Sequence, residues 1–415
     1  MTKRLILIFT LCLSISSAVK SQHNADLTIV EKVDVITTLA REPMLAEHPN
    51  GDLYVTGYAN VNQSPQLWKS TDRGKKWVKL DVGTVAQGAD GNSDADLVIG
   101  KDGTIYLLSM KYTRVPEDTT GFDWSSMKGE HITIGVSKDN GTSWKWTYLS
   151  QGEFDDRPWV EIASDGSIHV IWNDGKGVHY TVSTDKGTSW VRRPAIHDKG
   201  GSSHLAAGPD GRLAVRVVPI SASGKKFDEG VDLLRLSLDF GQSWKEVSLP
   251  GARTWSADIY AGTPRWVEPI QWDASGNLYY FWSEGKQLKL GVSSDNGKQW
   301  STYLVEDAEH ILYYPFLSVT GNDISCTWVS GFGKDLRHNA AILNINNGQL
   351  KIAKLPAQRL TDLRSRFIAD ENLATGGEYF PLISLSDGNF GMVTTIQNNA
   401  DNRLGFSWWR LFRRK

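Results

Sequence analysis

Apolar and polar residues alternate in short runs along the chain. Ile324-Ser325-Cys326-Thr327-Trp328 shows the period: every second side chain is apolar, as in a strand with one buried face. The strands recur in a fixed order, an apolar strand, a turn ending in glycine, then a second strand. The first copy is Met44-Leu45-Ala46-Glu47-His48-Pro49-Asn50-Gly51. The next four turns are Gly100-Lys101-Asp102-Gly103, Ala163-Ser164-Asp165-Gly166, Gly208-Pro209-Asp210-Gly211 and Asp273-Ala274-Ser275-Gly276. Two further copies are Phe316-Leu317-Ser318-Val319-Thr320-Gly321-Asn322 and Leu382-Ile383-Ser384-Leu385-Ser386-Asp387-Gly388. An all-β chain of repeated hairpin modules is the expectation.

A second motif signs five of these modules. Ser-x-Asp-x-Gly-x-x-Trp occurs at Ser70–Trp77, Ser137–Trp144, Ser183–Trp190, Ser237–Trp244 and Ser293–Trp300, with tryptophans 67, 46, 54 and 56 residues apart. The residue types suit a hairpin turn: aspartate accepts backbone N–H bonds, glycine supplies a positive φ, and tryptophan packs back over the strands. The motifs resemble the Asp boxes of sialidase-like propellers. Counting the two copies without the motif predicts a seven-bladed β-propeller, with the six-bladed sialidase-like form as the alternative. The early strand Leu27 to Val35 is expected to supply the outer strand of the last blade and close the ring.

Composition narrows the field. The chain has 415 residues, 45 Lys+Arg against 47 Asp+Glu and a formal net charge of −2. Without a basic run it has no electrostatic footprint for nucleic acid. The 17 Trp and 39 Gly fit a turn-rich β protein. Met1-Thr2-Lys3-Arg4, the apolar run Leu5 to Ile15 and the small residues before Gln22 have the layout of a secretory signal over residues 1–21, too short for a membrane span. Residues 22–415 are then one domain, exported to the periplasm or beyond, acting as a monomer and not bound to a membrane. Cys326 is left as the single cysteine of the mature chain, a core residue rather than a nucleophile.

Alternating strand direction sorts the turns onto two faces. On the face where sialidases work, Arg41, Arg157 and Arg265 stand near the starts of innermost strands and suit a clamp for a sugar carboxylate. Asp94 or Asp96 is the candidate acid there, and Tyr379 beside Glu378 the candidate nucleophile pair. Arg41-Glu42-Pro43 departs from the Arg-Ile-Pro of sialidases by placing a carboxylate beside the clamp. The same residues equally suit salt bridges and Arg–Trp stacking between strand starts. On the motif face, the position of His48 is filled in the other modules by Gly100, Ala163, Gly208, Asp273, Val319 and Leu385. An imidazole at such a turn suits proton transfer near neutral pH, or serves as an ordinary polar turn residue.

A chain of this length with these motifs and a damaged sialidase signature resembles the α-L-rhamnosidases of glycoside hydrolase family 145. That resemblance implies His48 as the catalytic residue on the Asp-box face. It implies removal of terminal rhamnose α-1,4-linked to glucuronic acid in plant arabinogalactan-type glycans. Lys101, Arg212 and Asp273, in turns equivalent to that of His48, are the substrate-binding candidates. No cofactor is expected, and no metal, because the histidines lack metal-ligand spacing. The alternatives are an exo-α-sialidase on the opposite face, a rhamnose–glucuronate lyase, and a non-catalytic glycan-binding propeller.

Overall fold

The computed structural model describes residues 22–36, 41–58, 64–114, 127–152, 155–174, 177–219, 230–255, 268–310, 312–331, 336–359, 378–397 and 404–414. The expected leader over residues 1–21 lies outside them. Apart from one 3₁₀ turn at Val85–Gln87, the regular structure is β-strand.

Five four-stranded antiparallel sheets follow one another along the chain. The first is Arg41–Glu47, Leu53–Tyr58, Gln66–Ser70 and Val78–Lys79; the second Ala95–Ile99, Ile105–Arg114, Met127–Ser137 and Lys145–Tyr148. The third is Asp156–Ile162, Ile168–Asn173, Val178–Ser183 and Val191–His197. The fourth is Ser202–Ala207, Leu213–Val218, Leu233–Ser237 and Lys245–Ser248; the fifth Ile270–Trp272, Leu278–Glu284, Gln287–Ser293 and Ser301–Asp307. Gly230–Val231 and Thr254–Trp255 form a small extra pair. The rest joins into eight strands, in the order Tyr313–Thr320, Asp323–Ser330, Arg337–Asn346, Gln349–Arg359, Gln22–Ile36, Leu404–Arg413, Phe390–Gln397 and Leu382–Ser384. Gln22–Ile36, longer than the expected strand, joins the two halves. Its first residues run parallel to Lys351–Lys354, and Leu27–Ile36 pair antiparallel with Gly405–Arg413.

The first strand of each sheet packs against the first strand of the next, through Tyr313–Thr320 and Leu382–Ser384 and back to Arg41–Glu47. Second strands are therefore covered on both faces. Leu53–Tyr58, Ile168–Asn173 and Leu213–Val218 are buried at every position, and their sequences are apolar runs rather than alternations. Cys326 lies fully buried in one of the cores.

The five Ser-x-Asp-x-Gly-x-x-Trp segments fold alike, each joining third to fourth strand. In each, the serine hydroxyl donates to the aspartate and accepts the glycine N–H, at 2.7–2.9 Å. The residue before the glycine is also left-handed: Arg73, Asn140, Lys186, Phe240 and Asn296 have φ of 56–64°. Hydrogen bonds from Ser143 and Ser189 hold the Asp139 and Asp185 carboxyls down at about 2.

Gly74 has φ 92°, and a Cβ there would overlap the Trp408 indole. Gly388, at φ 82°, faces open space. We expect Gly74→Ala to lower unfolding free energy by more than about 2 kcal/mol and Gly388→Ala by about 1 kcal/mol, read by urea denaturation.

Candidate active site

Three first strands begin with the same irregularity. Arg41-Glu42-Pro43, Asp156-Arg157-Pro158 and Tyr313-Tyr314-Pro315 each break the ladder register. The middle residues Glu42, Arg157 and Tyr314 have φ of 49–50°. A non-glycine residue held there costs about 1–3 kcal/mol, and such strain concentrates at functional sites. These strand starts lie on the face opposite the Ser-x-Asp-x-Gly-x-x-Trp turns.

Between them sits a cluster of charges. Arg157 makes a bidentate pair with Glu378, 221 residues away, with Nη1–Oε2 2.5 Å and Nη2–Oε1 3.3 Å. Its Nη1 also lies 3.5 Å from the Tyr379 hydroxyl, and its Nε 3.6 Å from Asp156. The Glu378 amide donates to Glu42 at 3.4 Å. Arg41 lies over the Tyr58 ring at 5.8 Å, and its Nε is buried without a hydrogen-bond partner among the described residues.

Burial pushes the Glu42 carboxyl well above its ordinary pKa, and Asp94 and Glu378 push it further against the pull of Arg41 and Arg157. Burial also raises Asp94, with Glu378 adding to the shift and both arginines opposing it. Asp156 is pushed up to about 7 for the same first reason. For Arg157, burial works against the charge, but Glu378, Tyr379 and Asp156 outweigh it and lift its pKa well above normal. Burial likewise raises the Tyr379 phenol. The arrangement offers cations for an anion and, beside them, carboxyls whose pKa values burial raises.

The structure thus brings together Arg41, Asp94, Arg157, Glu378 and Tyr379. Arg265 lies outside the described residues. Asp96 serves the fold instead. Its oxygens accept the Leu97 and Val160 amides at 2.8 and 2.9 Å, joining the second sheet to the third, and burial raises it to about 6.

On the other face the expected residues all lie in or beside hydrogen-bonded turns. His48 is 7% exposed. Its Nδ1 accepts the Asn50 amide at 3.1 Å, which leaves the proton on Nε2, and Nε2 lies 3.1 Å from the Gly103 carbonyl. Both nitrogens are thus engaged, one within the first turn and one on the second. Asp273 spends its oxygens on the Ser275 and Asn277 amides, the Asn277 side chain and the Tyr279 hydroxyl. Arg212 is bound to Asn296, Asp210 and the Pro209 carbonyl. Lys101 is exposed at its turn. Neighbouring turns also meet through Glu47 and Ser386 at 2.7 Å, so this surface is a ring of stapled turns.

Sequence reasoning passed over a second ion network. Arg216, fully buried, binds Asp232 at 3.3 Å and Glu268 at 3.0 Å, and Glu268 also binds Arg253 and Tyr280. Its signal was an arginine inside Leu213-Ala214-Val215-Arg216-Val217-Val218, otherwise wholly apolar. Trp159 links this region to the first cluster, with its ring 4.5 Å from His204 and 5.1 Å from Tyr379.

No known family profile matches the chain, and no characterised protein matches it in sequence. Solved structures do match. The chain is similar to a polysaccharide lyase PL25 ulvan lyase at TM-score 0.53 and 11% identity, covering 90% of this chain and 95% of that one. It is similar to a PL25 ulvan lyase bound to -[GlcA(1-4)Rha3S]- at 0.55 and 12%, covering 91% and 95%. The polysaccharide lyase Uly1 follows at 0.50 and 11%, covering 91% and 90%. The chain folds as a β-propeller. At these identities the likeness of this propeller to the lyases is one of fold.

Removing the His48 tie orphans the Asn50 amide, so His48→Ala should lower unfolding free energy by about 1–3 kcal/mol in denaturant titration. The raised carboxyls set a pH slope. Glu161, which hydrogen-bonds Gln271, is pushed up to about 8, mainly by burial. A native state that holds protons the unfolded chain releases near pH 4 loses stability as pH rises from about 4 to 8. Glu161→Gln should flatten that loss, with a gain over the parent at pH 8 and none at pH 4, read by melts across pH.

Proposed function

We propose that the chain is a secreted glycoside hydrolase that acts on acidic glycans at the face where the first strands begin. One observation carries the reading: the Arg41 guanidinium has a buried Nε without a partner among the described residues, beside acids whose pKa values burial raises. A buried guanidinium N–H left without an acceptor is costly, and an anion arriving with substrate supplies one. A uronate carboxylate fits the planar fork.

In this reading, protonated Asp94 gives its proton to the glycosidic oxygen as the carbon–oxygen bond breaks. The Tyr379 hydroxyl attacks the anomeric carbon and passes its proton to Glu378. Water then attacks the anomeric carbon and gives its proton to the Asp94 carboxylate, while the bond to the Tyr379 oxygen breaks and that oxygen takes its proton back from Glu378. Arg157 holds Glu378 in place. The glucuronate–rhamnose ligand of the ulvan lyase supports a substrate joining rhamnose to glucuronic acid. The same reading takes the eight-stranded sheet as two blades, making seven.

The assay is incubation with a rhamnose-capped glucuronide. Free rhamnose without new ultraviolet absorbance is expected. An absorbing unsaturated uronate would instead mean elimination, with Arg41 neutralising the carboxylate of a lyase substrate. Absence of cleavage of any acidic glycan overturns the proposal. Arg41→Ala should lower kcat/KM by about 100-fold or more, with partial recovery in Arg41→Lys. His48→Ala should leave the activity of folded protein unchanged.

A further inference from the structure

The repeat supplies its own control for a second site. A hollow of about 320 Å³ lies between the Ser137–Trp144 and Ser183–Trp190 turns, lined by Lys138, Lys145, Lys186 and Trp144. The corresponding lysine positions hold Thr71, Val78 and Asn140 in the preceding interval and Thr184, Val191 and Phe240 in the following one. Lys245 is the single lysine in the last. Three cations gather in one interval of the ring, and the turn geometry, common to all five motifs, does not require it.

The hollow continues. At Thr188 it adjoins a second of about 230 Å³ that contains Tyr148, Trp190 and Arg192. Tyr148 is 40% exposed, unusual for so large a ring here. Arg192 is held over the Trp172 ring at 4.2 Å. The trench so formed runs outward between the second and third sheets.

Two acids offset part of this charge, Asp139 in the lining of the hollow and Asp102 on Lys186, and leave the cations in excess. Asp139 turns its oxygens to Ser137 and Ser143 of its own motif. Asp102 pairs with Lys186 at 2.6 Å, and Lys145 donates to the Thr188 carbonyl at 3.2 Å. Lys138 makes no ion pair or hydrogen bond among the described residues.

We propose that this trench binds an acidic polysaccharide away from the cleavage face, with its carboxylate or sulfate groups on the lysines and a sugar ring against Tyr148. Exposed cations of this kind each contribute little, so binding is weak, salt-sensitive and built up along the polymer. Such a site keeps the protein on its glycan between encounters at the opposite face.

Affinity electrophoresis of the full chain through gels holding polygalacturonate, dextran sulfate or neutral dextran tests it. Retardation by at least one polyanion and none by neutral dextran is expected. The Lys138→Ala, Lys145→Ala, Lys186→Ala triple variant should weaken it about tenfold. Tyr148→Ala should weaken it with no change in net charge. The triple variant Lys75→Ala, Lys76→Ala, Lys298→Ala, with the same charge change elsewhere, should bind like the parent. Equal weakening in both triple variants, an unchanged trench variant, an unchanged Tyr148→Ala or equal retardation by neutral dextran overturns the proposal. The readout is binding, so failed cleavage leaves it intact.

Discussion

The pairing of Leu27–Ile36 with Gly405–Arg413 is the contact on which the rest depends. It zips the start of the described chain to its end and lets the first strands pack in a closed succession. Without it Arg157 and Glu378, far apart in sequence, would have no reason to meet. Closure also explains the burial of the second strands on both faces, because each sheet is covered by the next. Cys326, the single cysteine among the described residues, is free and buried, so backbone pairing and packing hold the ring there without a disulfide.

Closure gives the two surfaces opposite characters. On the turn surface, polar groups are consumed: His48, Glu47, Asp273 and Arg212 each satisfy a neighbouring turn. On the strand-start surface, polar groups are stored at a cost, in left-handed residues, raised carboxyls and a guanidinium nitrogen without a partner among the described residues. The electrostatics follow the same division. Motif aspartates are held low by hydrogen bonds and favour folding above their unfolded pKa, whereas the buried carboxyls do the reverse. The two groups of carboxyls therefore pull stability in opposite directions as pH changes.

What is legible in the sequence is what local chemistry decides. The five turns are visible because serine, aspartate, glycine and tryptophan act within eight residues of one another. The closing strand is visible as an unpaired apolar run ahead of the first module. His48 stands out by its rarity among the modules, and rarity does not distinguish chemistry from a structural tie. Whether an imidazole is free depends on its partners, and Gly103 of the next module is invisible from the Glu47-His48-Pro49 context. The opposite surface carries a signal that sequence reasoning used only in part. Arg41-Glu42-Pro43 and Asp156-Arg157-Pro158 stand out through their arginines, whereas Tyr313-Tyr314-Pro315 has none and becomes a match only once the three share a strand-start bulge.

The most direct measurement is a crystal structure of the protein soaked in glucuronate. The expected result is a carboxylate on the Arg41 guanidinium, within reach of Asp94 and Tyr379. Glucuronate seated against the His48 turn, with Arg41 making no contact to it, would contradict the assignment of the active face.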